Sequence, residues 1–288
     1  MSIFKSDPIQ TLTPFRPLES MWRKSRLFLA VLMSISLIPT ASNVASAQLL
    51  SKIHKDLSAS VTLDTNTSYI FRGITVVDDP VFQPHVSISY KYLTLGMWQN
   101  VLLSEAVGEG GVGTAPACNE IDYYADLTYE YKIFSGSVGW YYYDFPHTSL
   151  SDTQEVYFGF GASVPLNPSV TMYWDVADNA GGLYWLFSLS HDINVSSFTF
   201  TPSFGWGLSN ATHGTYYTGV NMSSAHIMDM NFGLNVGLLL GGIMEKVNGT
   251  TNLHLNYSIL PNNTIRRGIQ PPIDRDAFYM GVGFSFDF

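Results

Sequence analysis

Three things are scarce in this chain. Cys118 is its single cysteine among 288 residues, so neither an internal disulfide framework nor a thiolate metal site is available. Basic residues are few, 14 Lys and Arg against 23 Asp and Glu for a formal charge of −9, and a chain of that sign repels phosphates. This excludes nucleic acid and anionic headgroups as partners. Long apolar runs are also missing. The longest, 27–38, spans twelve residues, short of the roughly 20 that a membrane-crossing helix needs. Absent too are a Gly-x-Ser-x-Gly elbow and a His-Glu-x-x-His zinc helix. His85, His191 and His254 fall on strand-like segments rich in Ser and Asp, where chance Ser/His/Asp groupings are common, so no enzyme activity, cofactor or metal is expected.

The short apolar run belongs to a leader. Residues 21–26 are basic, 27–38 apolar, and Ala45, Ser46 and Ala47 form a small-residue cleavage site before Gln48, the layout of a secretory signal. The expectation is a signal peptide over 1–47, with Met21 as an alternative start, and no lipid anchor, since no Cys follows the cleavage site. A periplasmic segment over 48–57 and one barrel over 58–288 follow. Without the leader's five basic and two acidic residues, nine basic stand against 21 acidic, a formal charge of −12.

What the chain has in plenty is alternation with a period of two. In the last stretch Phe278, Met280, Val282, Phe284, Phe286 and Phe288 alternate with Tyr279, Gly281, Gly283, Ser285 and Asp287, so one strand face is apolar and the other wet. Strands of soluble sandwiches run about 5–6 residues, whereas a tilted membrane strand needs about 9–11, which this stretch fills. The same pattern recurs at 61–71, 82–90, 93–103, 120–131, 134–143, 156–164, 170–176, 183–189, 198–206, 228–238 and 253–259. The expected fold is therefore all-β, a transmembrane antiparallel β-barrel of about twelve strands, with fourteen as the alternative. A soluble β-sandwich or lipocalin-like binder is the competing reading, and it requires the apolar faces to point inward.

Connections alternate in length. Short turns are expected at Lys91-Tyr92, near Lys132, at 165–168, at 192–194 and at Asn248-Gly249, the last a two-residue hairpin signal. Longer loops are expected on the other side at 72–81, 105–118, 145–153, 208–226 and 261–276. Segment 215–222 also alternates. Because single-chain bacterial barrels have an even number of strands, it is assigned to a hairpin-like loop.

The terminal strand resembles the closing strand of bacterial outer-membrane barrels, and that resemblance implies that Phe288 is read by the barrel-assembly machinery. Tyr69-Ile70-Phe71-Arg72-Gly73-Ile74-Thr75 resembles the Tyr-x-x-Arg-Gly signature of the TorF family of proteobacterial porins. Glu120-Ile121-Asp122, the run 141–146 and Glu155-Val156-Tyr157 follow in that family's order. The resemblance covers roughly 58–180. It implies a barrel in the outer membrane of a Gram-negative bacterium, with outer-membrane lipid and small solutes as partners, presumed pore activity, and no catalytic residues.

Parity places Glu120, Asp122, Asp126, Glu155 and Asp175 on the inner face, with Asp64, Glu130, Asp229 and Asp287. Arg72 is the only arginine between the leader and Arg266. These six, Arg72 with Glu120, Asp122, Asp126, Glu155 and Asp175, are the candidate lumen or constriction residues. Two readings of Arg72 stay open. It is a structural cation pairing with carboxylates such as Glu120 or Glu155, or it is one wall of a transverse field that sets pore selectivity. Trp98, Tyr124, Tyr141, Tyr143, Tyr157, Tyr173 and Tyr184 also point inward, either as a stacking path for solutes or as filling. The expected function is passive diffusion of small solutes with a preference for cations. The alternative is a non-conducting structural or adhesive barrel whose loops make the contacts.

Overall fold

The computed structural model describes residues 56–104, 107–108, 111–112, 117–240, 249–270 and 273–288. The leader and most of the segment 48–57 lie outside these. Twelve long strands follow one another: β1 (Leu57–Asn66), β4 (Val81–Tyr90), β5 (Leu93–Leu102), β8 (Ala117–Tyr131), β9 (Phe134–Asp144), β10 (Thr153–Ala162), β11 (Ser169–Asp175), β12 (Leu183–Ser190), β14 (Phe198–Ser209), β15 (His226–Leu239), β16 (Gly249–Ile259) and β17 (Asp276–Asp287). Between them lie the short strands β2 (Tyr69–Phe71), β3 (Ile74–Val77), β6 (Val107–Gly108), β7 (Gly111–Val112) and β13 (Ile193–Val195), and the helices α1 (Ala211–Thr218) and α2 (Asn263–Gly268).

Each long strand pairs antiparallel with the next, and β17 returns to β1 from Ser60↔Asp287 to Asn66↔Gly281. The result is a closed twelve-stranded barrel, with β13 added as a thirteenth strand beside the start of β14. The seam is tied at its end by Phe288, whose N–H donates to the Ala59 carbonyl at 2.9 Å while the Ala59 N–H donates to the Phe288 carbonyl at 3.1 Å. Closure leaves no open edge, the condition for β-structure to sit in hydrocarbon.

The faces decide between barrel and sandwich. Ile88, Leu95, Leu127, Phe158, Phe232 and Phe278 keep 45–60% of their surface exposed on the outside. The inside is polar: an amide chain runs from Asn66 to Gln83 (2.8 Å), on to Asn100 (2.9 Å) and on to Asn119 (2.7 Å) across β1, β4, β5 and β8. A soluble sandwich would show the reverse, so the surface is one that lipid covers. Tyr90, Tyr92, Tyr129, Tyr131 and Phe134 stand exposed beside the short turns, where an aromatic belt meets the membrane interface. Lys91 and Lys132 take left-handed φ of 55° and 57° in those turns, each ammonium 5.2 Å from the ring of the preceding tyrosine.

Five local expectations give way. Where a short turn is expected at 192–194, the chain forms β13 and turns only after Val195. The segment read as one strand over 61–71 breaks after Asn66: the Thr67 N–H reaches the Met280 carbonyl at 2.8 Å and its Oγ1 accepts from the Met280 N–H at 3.1 Å, which ends the ladder and lets the chain turn. The stretch 72–81, read as an outer loop, forms with β2 a hairpin packed inside. Segment 215–222 is no hairpin: α1 occupies 211–218, capped by the Asn210 side chain accepting from the His213 N–H and by Gly219 in the left-handed region. The two-residue turn at Asn248-Gly249 is replaced by a longer connection, because the last β15–β16 pair is Leu239↔Thr250 and Gly249 already lies in β16. Asn248 itself lies outside the described residues.

Apolar side chains are also buried inside, at the end of the barrel that carries the long loops. Ile74, Met228, Leu260, Ile265 and Tyr184 form one cluster and Tyr69, Val77, Val81 and Leu102 another. These clusters are made by the β2–β3 hairpin, α1 and α2 packing against the inner wall.

Candidate functional site: the hairpin bolt and the tyrosine arc

At the tip of the β2–β3 hairpin, Arg72 and Gly73 have φ of 49° and 83°. Glycine is required at the second, because a Cβ there would meet the Asp229 side chain and Leu260 at 2.6 Å. The tip thus abuts β15 and the end of β16. In the closed ring β11 stands six strands from β1 in either direction, and Arg72 lies over Tyr173 of β11 at 4.7 Å and over Tyr184 of β12 at 4.5 Å. Its Nη1 donates to Glu155 Oε1 at 2.7 Å and Nη2 to Oε2 at 2.6 Å, the parallel fork for which guanidinium geometry is suited. Tyr143 Oη adds a donor to Glu155 Oε2 at 2.9 Å. The hairpin is bolted across the lumen.

A histidine completes the bolt. Arg72 Nη1 lies 2.9 Å from His213 Nε2 and Ser209 Oγ lies 2.7 Å from His213 Nδ1. Because a guanidinium only donates, Nε2 is the acceptor and Nδ1 carries the proton that it donates to Ser209. His213 therefore cannot serve Ser209 as a base, and this pair is not a nucleophile dyad. His213 sits in α1, outside the spanning strands. Burial, then the charge of Arg72, then His226, hold its pKa well below the ordinary histidine value.

The other sequence-selected carboxylates are spread along the wall. Glu120 is held by Tyr69 Oη at 3.1 Å rather than by Arg72. Asp122 is buried, and its Oδ1 has no hydrogen-bond partner among the described residues. Asp126 accepts from Tyr157 Oη and from Thr128 Oγ1, both at 2.5 Å. Asp175 is tied up at the barrel rim by Thr153 Oγ1 at 2.8 Å and by the N–H groups of Ala177 (2.9 Å) and Asn179 (3.2 Å). Thus Arg72 and Glu155 come together, Glu120 and Asp122 stand beside the hairpin, Asp126 lies below it, and Asp175 serves a loop.

Beneath the hairpin is a cavity of about 790 Å³ that reaches toward the short-turn end at Thr94 and Asp126. Its wall is an arc of tyrosines, one from each of five successive strands. Ring centroids step from Tyr124 to Tyr141 (5.4 Å), Tyr157 (5.4 Å), Tyr173 (5.7 Å) and Tyr184 (6.2 Å). Three of these rings lie against glycines: a Cβ at Gly96, Gly139 or Gly207 would strike the ring of Tyr124, Tyr157 or Tyr184. Hydroxyls on the arc are engaged by Asp126, by Asp229 at 2.9 Å from Tyr184 Oη, and by His85 at 2.9 Å from Tyr124 Oη.

His213, Ser209 and Tyr217 escaped the sequence reading, since alternation suggested a hairpin where α1 lies. Asn210 three residues before His213 is a capping signal that points to the helix.

No protein-family model matches the chain, and no curated protein matches it. Among solved structures it is similar to the NanC porin, at 13% identity covering 79% of this chain and 98% of that one, with a TM-score of 0.47. It is similar also to LpxR from Salmonella typhimurium, at 8% identity covering 79% and 99% with a TM-score of 0.42. OccAB2 of Acinetobacter baumannii shares 6% identity over 81% and 97%, with a TM-score of 0.38. Identities this low leave each likeness at the level of barrel architecture, which the strand pairings of this chain define on their own.

Proposed function

We propose that this protein is a porin-class barrel of the TorF type in the outer membrane of a Gram-negative bacterium, exported by its 1–47 leader. In this reading assembly begins from β17 and Phe288, and the barrel passes small cations in preference to anions. The observation that carries the reading is the charge of the wall. Asp64 and Asp126 line the lumen cavity, while the guanidinium of Arg72, which also borders it, is already neutralised by Glu155. A lumen of that sign concentrates cations and excludes anions. The hairpin narrows the upper passage, and Arg72 with Glu155 and His213 sets how firmly it stays in place.

Reversal potentials across a planar bilayer test this. Cation preference is expected, weakening between about 0.1 M and about 1 M salt as the Debye length falls from about 10 Å to about 3 Å. Anion preference would overturn it. A second reading is favoured by the reach of the hairpin to the far wall: a barrel plugged in its resting state. It predicts no conductance from the parent and cation-selective conductance once residues 69–77 are replaced by a short Gly/Ser turn.

A further inference from the structure

Arg72 borders the cavity beneath the hairpin. Its guanidinium lies over two rings of the tyrosine arc, Tyr173 and Tyr184, and is met by a carboxylate. The rest of the arc repeats this arrangement without a cation. Tyr124 and Tyr157 each lie against a glycine, Gly96 or Gly139, and line the cavity. Tyr141 bridges them at 5.4 Å on either side. With the hydroxyls of Tyr124 and Tyr157 already bonded to His85 and Asp126, what these two rings offer a solute is their π faces, which attract cations rather than hydroxyl groups. Two carboxylates border the same space. Asp126 keeps acceptor capacity beyond its two donors. Asp122 is nine-tenths buried and lines the cavity, and its Oδ1 is without a hydrogen-bond partner among the described residues.

We propose that this cavity is a binding site for one small organic cation of the guanidinium, amidinium or alkylammonium class, stacked on Tyr124, Tyr141 and Tyr157, hydrogen-bonded to Asp126 and bordered by Asp122. A space of about 790 Å³ falls within the range of small-molecule sites, roughly 300–1,000 Å³. This deepens the cation-passage reading and rests on it for the ligand's route, but occupancy does not require that the barrel conduct.

Isothermal titration of the detergent-solubilised full barrel with benzamidinium, and with its neutral isostere benzamide, tests the site. Benzamidinium is expected to bind one to one, and benzamide at least about ten-fold more weakly, since only the charged form draws on the ring faces and carboxylates. Asp122→Asn removes charge at nearly constant shape and Tyr141→Leu removes a ring face. Each is expected to weaken benzamidinium at least about five-fold with the folded, heat-modifiable gel band retained. Equal binding of the two probes, no binding of either, or binding indifferent to both substitutions would overturn the site. The probe comparison needs no variant, so it decides even where a substitution prevents folding. Bilayer recordings separate the two readings: benzamidinium binding to a barrel that prefers anions removes the passage reading alone, and cation-selective current without benzamidinium binding removes the ligand site alone.

Discussion

Arg72 and Glu155 meet fork to fork, 2.7 and 2.6 Å apart, though they stand 83 residues apart in the chain and Glu155 is on β10, four strands along the ring from β4, where the hairpin ends. Their side chains are 6% and 1% exposed, so neither charge can turn to water. Arg72→Ala is expected to cost about 3–5 kcal/mol, because it leaves a buried carboxylate with one remaining hydroxyl donor. The double change Arg72→Leu with Glu155→Leu should cost less than either single charge removal. Urea unfolding in detergent, followed by loss of the heat-modifiable band, measures all three.

Hairpin docking should weaken in acid. The folded pKa of His213 is depressed by burial and by Arg72, so the docked state resists the proton that an undocked chain accepts near the ordinary value of 6.5. The stabilisation is therefore complete above that value and lost as pH falls below it. Protection factors across 69–77, which divide out the intrinsic slowing of amide exchange in acid, should fall between about pH 7 and about pH 5 in the parent, and much less in His213→Gln, which keeps an acceptor for Arg72 and cannot be charged. Equal pH responses in the two proteins would remove His213 from the bolt.

The tyrosines that lie against glycines depend on them. Gly139→Val places side-chain atoms where the Tyr157 ring lies and should cost about 1–3 kcal/mol by overpacking. Gly136→Val, three residues away on the same strand, meets nothing within 4 Å and should leave stability nearly unchanged. Thermal unfolding of the pair in one detergent is the comparison, and near-ultraviolet circular dichroism should report the displaced ring in Gly139→Val alone.

Phe158 stands in mid-strand on the outer surface, paired with Val138 and Met172. Phe158→Arg should destabilise the barrel in lipid by about 2–4 kcal/mol, the cost of a cation at the bilayer midplane. An unchanged folding free energy in phospholipid vesicles would show that this face meets no hydrocarbon.

Strand number and facing were legible because a period of two is local. Val282, set between Gly281 and Gly283, needs only its own spacing to declare a face, and even parity followed from closure. Alternation also put Glu120, Asp122, Asp126, Glu155 and Asp175 on the inner side, and the scarcity of arginine marked Arg72.

What could not be read is what folds into the barrel. Tyr69 and Phe71 alternate like the strand before them, yet they turn inward, because the rewards for doing so lie far along the chain at Glu120, Tyr143 and Tyr217. The same holds for α1, whose His213 finds Arg72 141 residues away. Which carboxylate Arg72 would take was open between Glu120 and Glu155. Barrel geometry settled it, since a hairpin hung between β1 and β4 reaches β10 to β12 only by crossing the lumen, and at that depth Glu155 is the carboxylate whose fork it meets. Local spacing decides which side a residue faces; only closure of the ring decides what stands opposite.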